Sequence, residues 1–138
     1  LEEAVAAGVE AAGDCRVDHT LLAYAHPDVL VAVAEGARRR APEGSVGVLE
    51  LDALAATVRA ADAALKCAAV TLVDLHLARG IGGRGYVVLT GDLGDVDAAL
   101  EAGAEAAGAA RVLGRELIAN PEGALVRASA RGVRRTDW

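Results

Sequence analysis

One stretch of this chain occurs twice, and the repetition limits the folds open to it. Residues 1–17, LEEAVAAGVEAAGDCRV, align without gaps on residues 96–112, VDAALEAGAEAAGAARV. The shared residues include Gly8/Gly103, Glu10/Glu105, Gly13/Gly108, Arg16/Arg111 and Val17/Val112. After a one-residue slip, residues 21–27 fall beside residues 115–121, so that His26-Pro27 matches Asn120-Pro121. A repeat of this kind means one supersecondary unit used twice. Each copy reads as a helix, a strand, a proline and a further short helix. Only the second copy is preceded by its own strand and helix pattern. Residues 1–36 therefore read as the C-terminal half of a first domain, and the pattern predicts a strand-helix-strand-strand segment before Leu1. Residues 37–45, ARRRAPEGS, are polar and broken by Pro42 and Gly44, which marks a linker. Residues 46–133 read as a complete domain and residues 134–138 as a tail.

Within the complete domain the period of the apolar residues changes in a regular order. Residues 46–49 form a short apolar run, and Asp52 stands where it caps a helix whose Leu54, Val58, Ala61 and Leu65 share one face. Residues 70–77 and 86–89, rich in β-branched residues and Leu, predict two strands joined by a glycine-rich loop. Asp92 and Asp95 supply candidate caps for a helix over residues 96–107, closed by Gly108. Residues 111–119 predict a further strand, and Asn120-Pro121 opens a last helix. The order is α+β, a ferredoxin-like split β-α-β-β-α-β arrangement with one antiparallel sheet and its helices on one side.

Composition says how such a domain must pack. Apolar residues are 54% of the chain, yet there is no Phe, no Met, one Trp and two Tyr. The core must be built from Ala, Val and Leu, which bury little area each at roughly 25 cal/mol per Å². Burial between subunits would add to it. A formal net charge of −6 disfavours nucleic acid as a partner. The basic clusters at residues 38–40 and 131–135 lie in the linker and near the tail, where solvated charge accounts for them. Cys15 and Cys67 stand outside any CxxC or Cys/His spacing, so neither a zinc site nor a disulfide framework is signalled and a reducing cytoplasm is expected. No apolar run approaches the length of a membrane span, and no membrane partner is expected.

Gly80-Ile81-Gly82-Gly83-Arg84-Gly85 satisfies the G-x-G-x-x-G pattern, but it leads into a strand. A dinucleotide fingerprint leads from a strand into a helix whose N-terminal amides meet the pyrophosphate. A nicotinamide-dependent enzyme would rest on that misplaced pattern alone. The glycines better suit a loop where several backbones crowd together, as around a symmetry axis. His19, His26 and His76 lack a second ligand at helical or strand spacing, so no metal site is expected. No catalytic constellation emerges from spacing, and no enzymatic activity is expected. A small-molecule-binding regulatory domain of ferredoxin-like type is the alternative, with the glycine loop touching an effector.

Two blocks carry a family resemblance. VGVLELDALAATVRAADAALKCAAVTLVD, residues 46–74, with Glu50, Ala60-Ala61-Asp62 and Lys66, is similar to the opening of a bacterial microcompartment shell domain. YVVLTGDLGDVDAALEAGAEAA, residues 86–107, resembles that family's strand, Gly-Asp turn and Ala-rich helix. The resemblance implies a structural shell protein of a cytoplasmic bacterial microcompartment. With the repeat, it implies the tandem class, whose homotrimers imitate hexamers and tile with other shell proteins around encapsulated enzymes. It places a pore at Arg79, Gly80, Ile81, Gly82, Gly83, Arg84 and Gly85, where a ring of arginines would favour anionic metabolites. It places contacts between neighbouring oligomers at Lys66, Asn120 and His26. The last two stand where the family has the arginine of a Pro-Arg-Pro type segment. Some tandem members hold an iron–sulfur cluster on a pore-loop cysteine. Residues 80–85 contain none, so no cofactor is implied.

Overall fold

The computed structural model describes residues 1–36, 40–77 and 80–122. The helix expected after Pro121, the tail and Arg79 lie outside them. The first strand, β1, runs Ser45–Leu51, so the sheet begins at the last residue of the expected linker. Helix α3, Leu54–Cys67, follows, then the hairpin β2, Thr71–Leu77, and β3, Gly85–Gly91. Helix α4, Leu93–Ala106, and β4, Val112–Ile118, complete the domain. N-terminal to it lie α1, Glu2–Ala12, a 3-10 turn, Gly13–Cys15, and α2, Pro27–Glu35.

The four strands order as β2-β3-β1-β4, and each neighbouring pair is antiparallel. Both crossovers therefore skip a strand: β3 lies between β1 and β2, and β1 between β3 and β4. That is the split arrangement the sequence order predicts. Alternation sends Leu49 and Leu51 of β1, with Val87 and Leu89 of β3, to the helix side, where all four are fully buried. The intervening Val48, Glu50, Tyr86 and Val88 take the other face.

Small residues let the layers close. A Cβ on Gly47 would stand 2.6 Å from Val96 Cγ1 and 3.0 Å from Leu100 on α4. One on Gly103 would stand 3.1 Å from the Ala60 carbonyl oxygen of α3. Gly85 is likewise pressed against Thr57. Ala56, Ala60, Ala61 and Ala64 fill the buried side of α3. A core without Phe or Met thus becomes dense by bringing backbones together.

The caps differ from expectation. Helix α3 begins after Ala53, with no side-chain cap. The Asp52 carboxylate instead accepts the Arg111 amide at 2.9 Å, while the Asp52 amide donates to the Arg111 carbonyl at 3.1 Å. Asp52 stands one residue too early to cap and closes the β1 end onto the start of β4. Asp92 is the residue before α4, but its side chain caps nothing.

The strand expected between α1 and α2 is not formed. Its counterpart in the repeat, β4, takes its ladder from β1. Among the described residues, no strand of this kind lies beside residues 16–26, and Tyr24, at φ 55°, leaves the extended region. Side chains of α3 hold this segment instead. Arg59 donates to both Asp18 oxygens (3.3 and 2.9 Å) and to the His19 carbonyl (2.7 Å). It also donates to the Ala106 and Ala107 carbonyls (3.3 and 3.0 Å), acceptors that the end of α4 leaves open. Helix α2 packs beside β2 and α3 and buries Val29 and Ala32.

Burial pushes the Asp18 carboxyl up, but the Arg59 and His19 hydrogen bonds and charges outweigh it and hold the pKa below its ordinary value. A lowered folded pKa stabilises above the ordinary value and is lost as pH falls through the folded one. Acidification below about pH 4 should therefore loosen residues 16–26, read as faster amide exchange there, and Asp18→Asn should remove that dependence. Arg59→Ala should cost about 1–3 kcal/mol in urea unfolding. A second comparison tests the packing: Gly47→Ala should destabilise by about 1–3 kcal/mol, whereas Gly94→Ala, into open space on α4, should add up to about 1 kcal/mol.

Candidate functional site

Residues 80–84 of the β2–β3 connection form a tight turn. Gly80, Gly82 and Gly83 have φ of +78°, +66° and +83°, a region that L side chains rarely enter. A Cβ on any of them would meet nothing within 4 Å, so dihedral angle and not space demands glycine. The Arg84 amide donates to the Ile81 carbonyl at 3.4 Å and closes the turn. Gly85 belongs to the end of the loop in sequence but is buried as the first residue of β3. Of the seven residues expected around an opening, five therefore form an accessible or half-buried turn, Gly85 is interior, and Arg79 lies outside the described residues.

Arg84 is more than half exposed, and its Nη1 is 3.9 Å from Glu50 Oε1. Glu50, a family marker in the sequence, thus acquires a place beside the loop. It pairs across β1 with Tyr86 of β3 and Gly114 of β4, and Tyr86 in turn pairs with His76 of β2. The His76 and Tyr86 rings stack at 4.9 Å with 4° between planes, and the Tyr86 hydroxyl donates to Asp74 at 3.3 Å. This polar row lies on the face of the sheet away from α3 and α4. No signal in the sequence joins Glu50 to Arg84, because the pairing exists only through the β1–β3 register.

The second group of expected residues meets around one carboxylate. Asp62 of α3 is nearly buried and accepts the His26 amide at 2.7 Å on one oxygen and Lys66 Nζ at 2.5 Å on the other. The His26 ring Nδ1 accepts the Asp28 amide at 3.2 Å and so caps α2. Lys66 and His26 therefore come together, with half of the lysine exposed. Asn120 does not join them: it follows β4, at the other edge of the sheet from β2, with φ 42°. Arg59 went unnoticed in sequence, where its one signal is a guanidinium amid the alanines of α3.

Among the described residues no group of three His, Cys, Asp or Glu is arranged to hold a metal ion. Cys15 and Cys67 are exposed free thiols. No described helix is long and apolar enough to cross a membrane.

Comparison with known proteins places this geometry. Residues 45–121 match the BMC domain. The bacterial microcompartment shell protein PduT of Citrobacter freundii is 41% identical over 108 residues, which cover 78% of this chain and 58% of PduT. The shell protein EutK of Salmonella typhimurium is 43% identical over 79 residues, 56% of this chain and 47% of EutK. The carboxysome shell protein CcmK2 of a Synechocystis strain is 41% identical over 81 residues, 56% of this chain and 76% of CcmK2. The chain thus spans about half the length of the first two relatives. The crystal structure of a microcompartment protein from Desulfitobacterium hafniense superimposes with a TM-score of 0.74 at 32% identity, covering 92% of this chain and 71% of that one. With more than half of its length matching the domain, and the split sheet with its two helices in place, this chain belongs to the BMC domain family.

Proposed function

We propose that the chain is a non-catalytic structural component of a bacterial microcompartment shell, located in the cytoplasm. In this reading three copies close into a pseudohexamer, and the turn of residues 80–84 lines a central opening for metabolites. Other shell proteins tile against its edges, and the enclosed enzymes are its functional partners. The observation that carries the reading is the β2–β3 turn. It holds three glycines in left-handed conformations, Gly80, Gly82 and Gly83, at which an added Cβ would meet no described residue, at the tip of a BMC-domain hairpin. A turn with three of its five residues glycine suits several backbones meeting at one axis.

Arg84 gives that opening its charge. An exposed guanidinium 3.9 Å from a half-exposed carboxylate is held weakly, since such pairs are worth about 0–1 kcal/mol. An anion arriving at the turn competes with Glu50 for Arg84, and symmetry multiplies the effect. At the edge, the exposed half of Lys66, oriented by Asp62, presents an ammonium to a neighbouring oligomer.

Hydrodynamic mass and electron microscopy test the assembly: rings and extended sheets are expected, and a stable monomer at micromolar concentration would sink the shell reading. Lys66→Ala should leave ring mass unchanged while fewer or smaller sheets form. For the opening, passage of an anionic and a neutral solute of similar size through assembled shells should be compared. Arg84→Ala should reduce the preference for the anion, and an unchanged ratio with assembly intact would remove Arg84 from any filtering role.

A further inference from the structure

The β2–β3 hairpin carries the glycine turn at one end and borders a cavity of about 520 Å³ at the other. One wall is the non-helical segment of residues 40–43. The other is the approach to β2 and the end of β3, at Ala69, Thr71, Thr90 and Gly91. The volume falls within the range of small-molecule sites, about 300–1,000 Å³.

Backbone contacts hold the two walls in place. The buried Thr90 hydroxyl lies 2.7 Å from the Glu43 carbonyl oxygen and 2.9 Å from that of Ser45, and its one hydrogen serves both. Gly44, at φ 83°, lies so close to β3 that a Cβ there would stand 2.7 Å from the Gly91 carbonyl oxygen. A Cβ on Gly91 would in turn stand 3.1 Å from the Ala69 carbonyl oxygen. The segment, β3 and the approach to β2 are thus locked together around the cavity.

Three polar side chains belong to the lining without being firmly engaged in the fold. Arg40 is half exposed and meets the Asp28 carboxylate at 3.7 Å, too far for a hydrogen bond. Among the described residues, the Glu43 carboxylate pairs with no cation and the Thr71 hydroxyl makes no hydrogen bond. The rest of the lining includes Ala41 and Ala69.

This mixture narrows the occupant. A simple anion drawn to Arg40 meets the like charges of Glu43 and Asp28, and a simple cation drawn to Glu43 meets Arg40. A molecule with both charges is opposed by neither. Arg40 and Glu43 are three residues apart, so their Cα atoms lie at most about 11 Å from each other. A short run of methylenes between a carboxylate and an ammonium matches that spacing and gives the alanines an apolar stem to cover.

We propose that this cavity binds a small linear zwitterion of the ω-amino acid class, with its carboxylate on Arg40 and the Thr71 hydroxyl and its ammonium on Glu43. The site is independent of the shell role and of the opening at residues 80–84, which lie at the far end of the hairpin.

Equilibrium dialysis of the protein with ε-aminocaproate, caproate and n-hexylammonium tests this, because the three share a stem and differ by one charge. Saturable binding of ε-aminocaproate is expected at millimolar concentration, with each single-charge analogue about threefold weaker or more. Arg40→Gln should remove its advantage over n-hexylammonium, and Glu43→Gln its advantage over caproate. Both side chains are exposed, and Thr90 holds residue 43 by its backbone, so the thermal unfolding midpoint should stay level. Arg84→Gln, at the turn, should leave ε-aminocaproate binding unchanged. Caproate or n-hexylammonium binding as tightly as ε-aminocaproate would overturn the zwitterion. No saturable binding, parental binding by the residue 40 and 43 variants, or loss of binding in Arg84→Gln would overturn the site.

Discussion

Everything in this domain depends on how closely α4 lies over β1 and against α3. Gly47 and Gly103 remove the side chains that would hold those backbones apart, and the Ala60 carbonyl occupies part of the space released. Dispersion attraction falls steeply with a small radial gap, so a core of Ala, Val and Leu gains cohesion only at this separation. The positions of the outer elements follow from it. The β1–β3 register is inherited by the polar row on the far face, and the α3–α4 separation sets where Arg59 reaches the open carbonyls of α4.

Helix α3 faces two directions with different chemistry. Its buried apolar side is alanine, threonine, valine and Leu65. Along its flank, Arg59 and Asp62 receive the N-terminal segment through hydrogen bonds to charged groups, which are worth more than neutral ones. These bonds, with Leu22 packed against the core and the burial of Val29 and Ala32, account for the placement of residues 18–26. The same Asp62 fixes Lys66, so the attachment of the N-terminal segment and the presentation of the exposed ammonium share one carboxylate.

The glycine turn is geometrically determined and electrostatically soft. Its shape comes from left-handed dihedral angles and one closing hydrogen bond, while its charge comes from an arginine in weak partnership with a strand carboxylate.

The local grammar of the chain determined much of this structure: the order of strands and helices, the hairpin at residues 71–91, and the repeat that pairs α1 with α4 are legible because each rests on residues near one another in sequence. The family was legible for the same reason, through Ala60-Ala61-Asp62, Lys66 and the Gly91-Asp92 turn. Asp52 and residues 17–25 depart from expectation because a cap and a strand both depend on partners. Asp52 found Arg111, fifty-nine residues away, and residues 17–25 lacked a neighbouring strand. Only the tertiary structure decided that Glu50 meets Arg84, that His26 and Lys66 share Asp62, and that Arg59 joins α3 to α4 and Asp18. These contacts cross the sheet register or bridge separate elements, and propensity and periodicity, which are properties of single segments, carry no information about which segments lie side by side.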